Sequence, residues 1–272
     1  MTADNMSQQS TNRNDRYERG LQILAQVEQT QGPSVLDYVA EFSPDLARLT
    51  AEFGYADVYG RSGLTYEQRQ ILTIAALGAM GTAPSQLRFH IRGALNVGCT
   101  PEQIIETFIH LTIYSGFPAA LNALTAAREV FTERGIRPSL EEHRTEPSER
   151  FETGSRLVAE VDGSAGDSVI KSLQDISPDL GRMIVEYSFG DVYSRPNLSL
   201  WERELVTVAA CGAMGTCTPQ LRVHTHGFLN VGGTREQLIE VAIQLAVYAG
   251  FPAALNTLEV FRGVLEQHEN AG

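Results

Sequence analysis

Two histidines close the same five-residue frame at two places in the chain, QLRFH at 86–90 and QLRVH at 220–224. Imidazole ordinarily titrates near neutral pH, so a histidine repeated in a repeated frame is the first candidate for proton transfer. On a helix, the residues four and seven before a histidine share its face. That places Gln220 and Cys217 beside His224, and Gln86 and Ala83 beside His90. A partly buried carboxylate would complete an acid–base pair, and Glu204 is placed for it, in WERELV at the head of a nearly uninterrupted apolar run. Burial there would raise its pKa towards neutrality. Each candidate has a plainer competing role: a satisfied core residue for either histidine, and a first-turn acid favouring the helix dipole for Glu204. Cys217 sits at the N-terminal edge of the His224 helix, where free N–H groups lower a thiol pKa, which makes it a candidate nucleophile.

Ligand-binding candidates surround these groups. Arg88 and Arg222 stand two residues before the histidines and could reach a substrate carboxylate; their plainer role is an ion pair with Glu106 or Glu240. Gln220, Tyr114 and Tyr248 are candidate pocket linings, as are His110 and the Asn122/Asn256 pair. Phe117 and Phe251 offer bulk for a core or a pocket wall. His226, with Arg92 as its counterpart, reads as surface variation.

The elements that must carry these residues occur twice. A shift of 134 lays RYERG (16–20) on RFETG (150–154) and SPDL on SPDL, and between 64–124 and 198–258 it matches 35 of 61 positions. Such self-similarity marks a tandem duplication. Helix signals are dense, whereas neither sustained alternation nor a hairpin dipeptide appears, which predicts an all-α protein. Thr65/Gln68, Ser199/Glu202, Thr100/Gln103 and Thr234/Gln237 fit capping boxes, and Ser43-Pro44 and Ser177-Pro178 pair an N-cap with proline at the first turn. The repeated GFPAALN (116–122, 250–256) reads as a helix–helix corner, with glycine ending one helix and proline opening the next. ILTIAALGAM (71–80) is apolar almost all round, so its helix should be buried on most sides. The predicted organisation is a disordered tail over 1–15, a first module over 16–140, a linker over 141–149 and a second module over 150–272.

Bulk properties narrow the function classes. A formal net charge of −12 without a basic face disfavours nucleic acid. The apolar runs are too short to span a bilayer. The N-terminal stretch has no apolar signal-peptide region, and three cysteines make neither a disulfide framework nor a metal-ligand spacing. A reducing cytoplasm is the expected compartment, and no metal or cofactor site is expected. Cys99 and Cys211 read as small packing residues.

The frame of QLR-x-H, G-x-T-x-E-Q and Y-x-GFPAALN resembles the carboxymuconolactone decarboxylase family, whose wider superfamily includes the alkylhydroperoxidase D proteins. The resemblance implies a tandem duplication of an alkylhydroperoxidase D-like helical bundle, and a homo-oligomer in which a trimer of two-module chains mimics a ring of six modules. It assigns the family histidine to His90 and His224, and the family glutamate to Glu204, with Gln70 at that place in copy one. The peroxidase branch carries CxxC seven and four residues before the histidine; Ala83/Gln86 and Cys217/Gln220 stand there instead, so dithiol peroxidase chemistry is not expected. The implied function is a cofactor-independent acid–base enzyme acting on a small carboxylated or enolisable lactone or ring compound, decarboxylation being the family reaction, with copy two as the working module. An isomerase, cyclase or dehydratase working through an enolate, or a non-catalytic helical oligomer, are the alternatives.

Overall fold

The computed structural model describes residues 3–139 and 142–271, and every regular element among them is a helix. The first copy supplies α1 (Ala3–Glu28), α2 (Val35–Phe42), α3 (Pro44–Leu49), a π-helix π1 (Thr50–Tyr59), α4 (Tyr66–Met80), α5 (Pro84–Val97), α6 (Pro101–Tyr114) and α7 (Gly116–Glu133). The second supplies α8 (Arg150–Val161), α9 (Ser164–Ser172), α10 (Pro178–Met183), π2 (Ile184–Tyr193), α11 (Leu200–Met214), α12 (Thr218–Asn230), α13 (Arg235–Tyr248) and α14 (Phe251–Ala271).

The helix starts follow the side chains that satisfy their free N–H groups. All four expected capping boxes form, at Thr65, Thr100, Ser199 and Thr234. Ser43 caps α3 through Leu46 N, whereas its repeat Ser177 makes no such bond. The polar stretch from Ala3, predicted as a disordered tail, continues α1 instead; it contains neither glycine nor proline to stop a helix. Residues 1 and 2 of that tail, and Leu140 and Glu141 at the predicted linker, lie outside the described residues.

The apolar helix signalled by ILTIAALGAM is central in both copies. Arg69 to Ala79 of α4 and Arg203 to Ala213 of α11 are buried without interruption, and the two helices pack on each other. One hydrophobic core runs through both modules around this pair. Two satellite cores flank it, one joining α1, α2 and π1 and the other joining α8 and π2.

GFPAALN forms the expected corner. Gly116 and Gly250 adopt φ of 80° and 87°, a turn that an L side chain resists. The phenylalanines that follow are not core: Phe117 and Phe251 are 57% and 60% exposed, and neither lines the cavity at His224. Each instead lies near an aromatic of the other copy's π-helix, Phe117 by Tyr187 and Phe251 by Phe53. No helix among the described residues is long and apolar enough to cross a membrane.

Candidate active site

The α11–α12 pairing brings His224 and Glu204 together as the repeated frame suggests. His224 Nδ1 lies 3.1 Å from Glu204 Oε2 and 3.3 Å from Oε1, with both residues buried. Their approach needs Gly227 one turn along α12, because a Cβ there would meet Glu204 Oε2 at 2.6 Å. The other face of the ring belongs to the first module. His224 Nε2 is 2.9 Å from the hydroxyl of Tyr114, the last residue of α6. Tyr114 is 3.0 Å from the hydroxyl of Tyr193, which closes π2 and donates to Glu204 Oε1 at 2.5 Å.

These four residues make a closed ring of hydrogen bonds that is complete when His224 is charged and Glu204 is a carboxylate. An imidazolium donates from Nδ1 to Glu204 and from Nε2 to Tyr114; Tyr114 then donates to Tyr193, and Tyr193 to Glu204. Burial alone works against that charge, but Glu204 and then Asp162 outweigh it and raise His224 from 6.5 to about 9. Burial also raises both tyrosines well above their ordinary range, so they serve as neutral hydroxyls.

Asp162, which caps the C-terminus of α8, is a second carboxylate at the same ring. Its Oδ1 is 3.5 Å from His224 Nδ1 and has no hydrogen-bond partner, although the residue is only 6% exposed. Burial pushes its carboxyl up from 3.8 to about 6, His224 pulls it down, and Glu204 adds to the rise. A cavity of about 260 Å³ opens onto His224, Asp162, Tyr114, Gln220 and Ser188, with Ile113, Ile170, Ile184 and Phe189 among its apolar walls. Glu204, fully buried, does not line it.

The equivalent place in module one is uncharged. His90 Nδ1 is 3.1 Å from Gln70 Oε1, and burial lowers the imidazole to about 3. Tyr248, from module two, sets its ring edge-on to His90 and bonds Tyr59, mirroring Tyr114 and Tyr193. The counterpart of Asp162 is Glu28, which turns away to cap α2 through Ser34 Oγ and Val35 N.

Other candidates stand elsewhere. Cys217 is the N-cap residue of α12, packed partly against the central core and beside Cys211 rather than lining the cavity. Arg88 pairs with Glu129 and Arg222 is exposed, so neither faces the cavity. The expected pairing of these arginines with Glu106 and Glu240 does not occur either, because those carboxylates are already taken across the module boundary. Glu106 holds Arg195 and the buried Arg203; Glu240 holds Arg61 and the buried Arg69. Phe251 lies on the surface, and His110 is a buried neutral partner of Thr207. His226 is near His268, with ring centroids 5.5 Å apart.

Asp162 and Tyr193 were not among the residues singled out from the sequence, although the 134-residue shift holds a signal for each: an acid at 28 and 162, and DVY at 57–59 and 191–193.

Among the described residues, Asp162, Glu204 and His224 form the one group with metal-ligand spacing, their donor atoms within 4.8 Å of one another. His224 is hydrogen-bonded at both ring nitrogens, and in its charged form it has no lone pair for a cation. The donor set fits a shared proton better than a metal.

Comparison with known proteins places these residues. The model of the carboxymuconolactone decarboxylase family matches residues 44–129 and 178–263, a span that includes Tyr193, Glu204 and His224 but stops short of Asp162. A 4-carboxymuconolactone decarboxylase of Acinetobacter baylyi is 34% identical over 129 residues, 47% of this chain and 95% of that protein, so it has the length of one module. A nitrosuccinic acid decarboxylase of Metarhizium robertsii is 31% identical over 85 residues, 31% of this chain and 59% of its own length. In fold, a solved Burkholderia xenovorans structure assigned as a gamma-carboxymuconolactone decarboxylase subunit superposes with a TM-score of 0.54 at 22% identity, over 93% of this chain and 98% of that one.

Proposed function

This chain belongs to the carboxymuconolactone decarboxylase family, with two family modules in tandem, and we propose that it is a decarboxylase-type lyase whose working site is the His224 cavity. The observation that carries this reading is a buried histidine paired at one ring nitrogen with Glu204 and at the other with Tyr114, at the wall of a cavity whose lining is otherwise largely apolar. When carbon dioxide leaves a carboxylated, enolisable compound, the bonding pair passes to the remaining carbon framework as an enolate. An apolar cavity favours loss of the charged group, and a fixed cation favours the charge that develops.

His224 is the proton donor in this reading. Its Nδ1 proton is held by Glu204, which does not line the cavity, and its Nε2 proton by Tyr114, which does, so a ligand takes the Nε2 proton by displacing the Tyr114 hydroxyl. Glu204 is a positioning residue that fixes ring orientation and sustains the charge. Tyr114 and Gln220 are polar groups in reach of the ligand. No step requires a cofactor, since acid, orienting base and cavity are all side chains of the chain. Cys217 takes no part.

The test compares His224→Gln with His90→Gln, using 4-carboxymuconolactone as the probe and released carbon dioxide as the readout. Loss of the His224 acid should cost about 10²–10⁴ in turnover, while His90→Gln should stay within a few-fold of the parent. Full activity in His224→Gln would overturn the assignment.

A further inference from the structure

The two modules differ again where their last helix meets the histidine helix. In module one, Arg92 on α5 pairs with Glu133 at the end of α7, and Arg134 donates to Asn96 Oδ1 at 2.7 Å. Under the 134-residue shift the matching residues of module two are His226, Gln267, His268 and Asn230. Both guanidiniums have become imidazoles, and the carboxylate between them has become an amide. Module one closes this junction with ion pairs, so the fold itself does not call for histidine here.

The two imidazoles come from different helices, His226 from α12 and His268 from the last turns of α14, and their ring centroids are 5.5 Å apart. They border a hollow of about 350 Å³ whose other walls include Asp162, Ser164 and Asn230. Two imidazoles that ligate one ion at roughly 2.0–2.1 Å have ring centres about 5 Å apart. The observed spacing is close to that, so rotation of the side chains suffices to aim both rings at one ion. Burial and then the neighbouring His268 lower the His226 imidazole from its ordinary 6.5, which leaves it a free lone pair at neutral pH. Gln267 hydrogen-bonds the same ring, as the outer partner of a ligating histidine does. An arginine has no lone pair to offer, so the exchange of both arginines creates ligands where module one has none.

We propose that His226 and His268 together bind one divalent metal ion of the class that favours imidazole, zinc, nickel or copper, and that the ion clips the end of α14 to α12. Water completes the coordination. Among the described residues, Asp162 does not fall within ligand spacing of both rings, so it acts across the hollow as a carboxylate for that water. The clip is confined to module two, and it lies on the far side of Asp162 from the His224 cavity, which is lined by neither histidine.

The experiment is calorimetric titration of the untagged full chain with zinc(II) at neutral pH, paired with thermal unfolding in the presence and absence of the ion. One zinc should bind per chain and raise the melting temperature. His226→Gln and His268→Gln should each weaken binding by about tenfold or more, since each removes one of two protein ligands, and should abolish the rise. The double variant His226→Arg/His268→Arg restores the residues of module one; it should fold and take up no zinc. His224→Gln disrupts the one group that already has metal-ligand spacing, and it should leave zinc affinity unchanged. Absence of zinc binding by the parent, or full affinity in both single glutamine variants, would overturn the proposal. So would loss of binding in His224→Gln, which would place the ion at the Glu204 cluster instead. The probe is the metal alone, so none of these outcomes depends on whether the chain releases carbon dioxide.

Discussion

A buried histidine that keeps its proton at neutral pH makes the fold sensitive to alkali. His224 titrates near 9 in the folded chain against an ordinary 6.5, so its contribution to stability is whole below pH 6.5 and is lost as pH rises through 9. The shift corresponds to a contribution on the order of 3 kcal/mol. Asp162, raised to about 6 from 3.8, also binds its proton more tightly when folded, so it too lowers stability as pH rises, in the window from about 4 to 6. Thermal unfolding should therefore show a melting temperature that declines between pH 6.5 and 9.5, and Glu204→Gln should flatten that decline. His90→Gln should leave it unchanged, because His90 is neutral throughout. A pH-independent melting temperature in the parent across this range would contradict the charged state of His224. His224, His90 and the Glu204/Gln70 difference were legible in the sequence because they ride in a frame written twice. Asp162 lies outside the family-matched span, and its role depends on where α8 ends against α12 rather than on any local pattern.

Helices place these groups through close approaches that the sequence marks only as small residues. Gly227 lets α12 settle onto the carboxylates of Glu204 and Asp162, whose atoms would lie 2.6 and 3.2 Å from an added Cβ. Gly227→Ala should thus lower turnover and destabilise the fold by about 1–3 kcal/mol in denaturant unfolding; its repeat, Gly93→Ala, meets Val27 and Gln70 and should leave turnover nearly intact. The two π-helices each end on the tyrosine that enters a histidine site, an i→i+5 winding often found where a side chain has to be re-aimed. Capping residues foretold where α4, α6, α11 and α13 begin, since a cap is a local matter. They could not foretell π1 and π2, which no sequence signal distinguished. Nor could they foretell that Glu106 and Glu240 choose arginines of the opposite copy. Glu106→Ala strands the fully buried Arg203 and should cost about 3–5 kcal/mol by chemical denaturation.

The two modules share one core, with α4 and α11 at its centre, and they exchange tyrosines across it. Tyr114 of module one completes the His224 site, and Tyr248 of module two faces His90. Tyr114→Phe breaks the hydrogen-bond ring around His224 and should reduce turnover about tenfold or more, since its loss leaves Nε2 without an acceptor; Tyr248→Phe should have little effect on carbon dioxide release. Assembly beyond the chain is a separate question. The trimer implied by the family resemblance is tested by light scattering after size exclusion, where a mass of three chains is the expected result. Leu121 and Leu255, exposed at matching positions beside the corner, are the substitutions to glutamate that should dissociate it if that face is used. The duplication was legible from one shift of the sequence, but not the exchange, because nothing local reveals which copy a tyrosine will face.

That exchange has a genetic consequence. In an assembly of separate single modules, a subunit lacking the tyrosine and another lacking the histidine could restore a working site where they meet. Here both groups are delivered by the same polypeptide, 110 residues apart. Lesions at Tyr114 and His224 carried on two different chains should therefore fail to complement each other, however the chains associate.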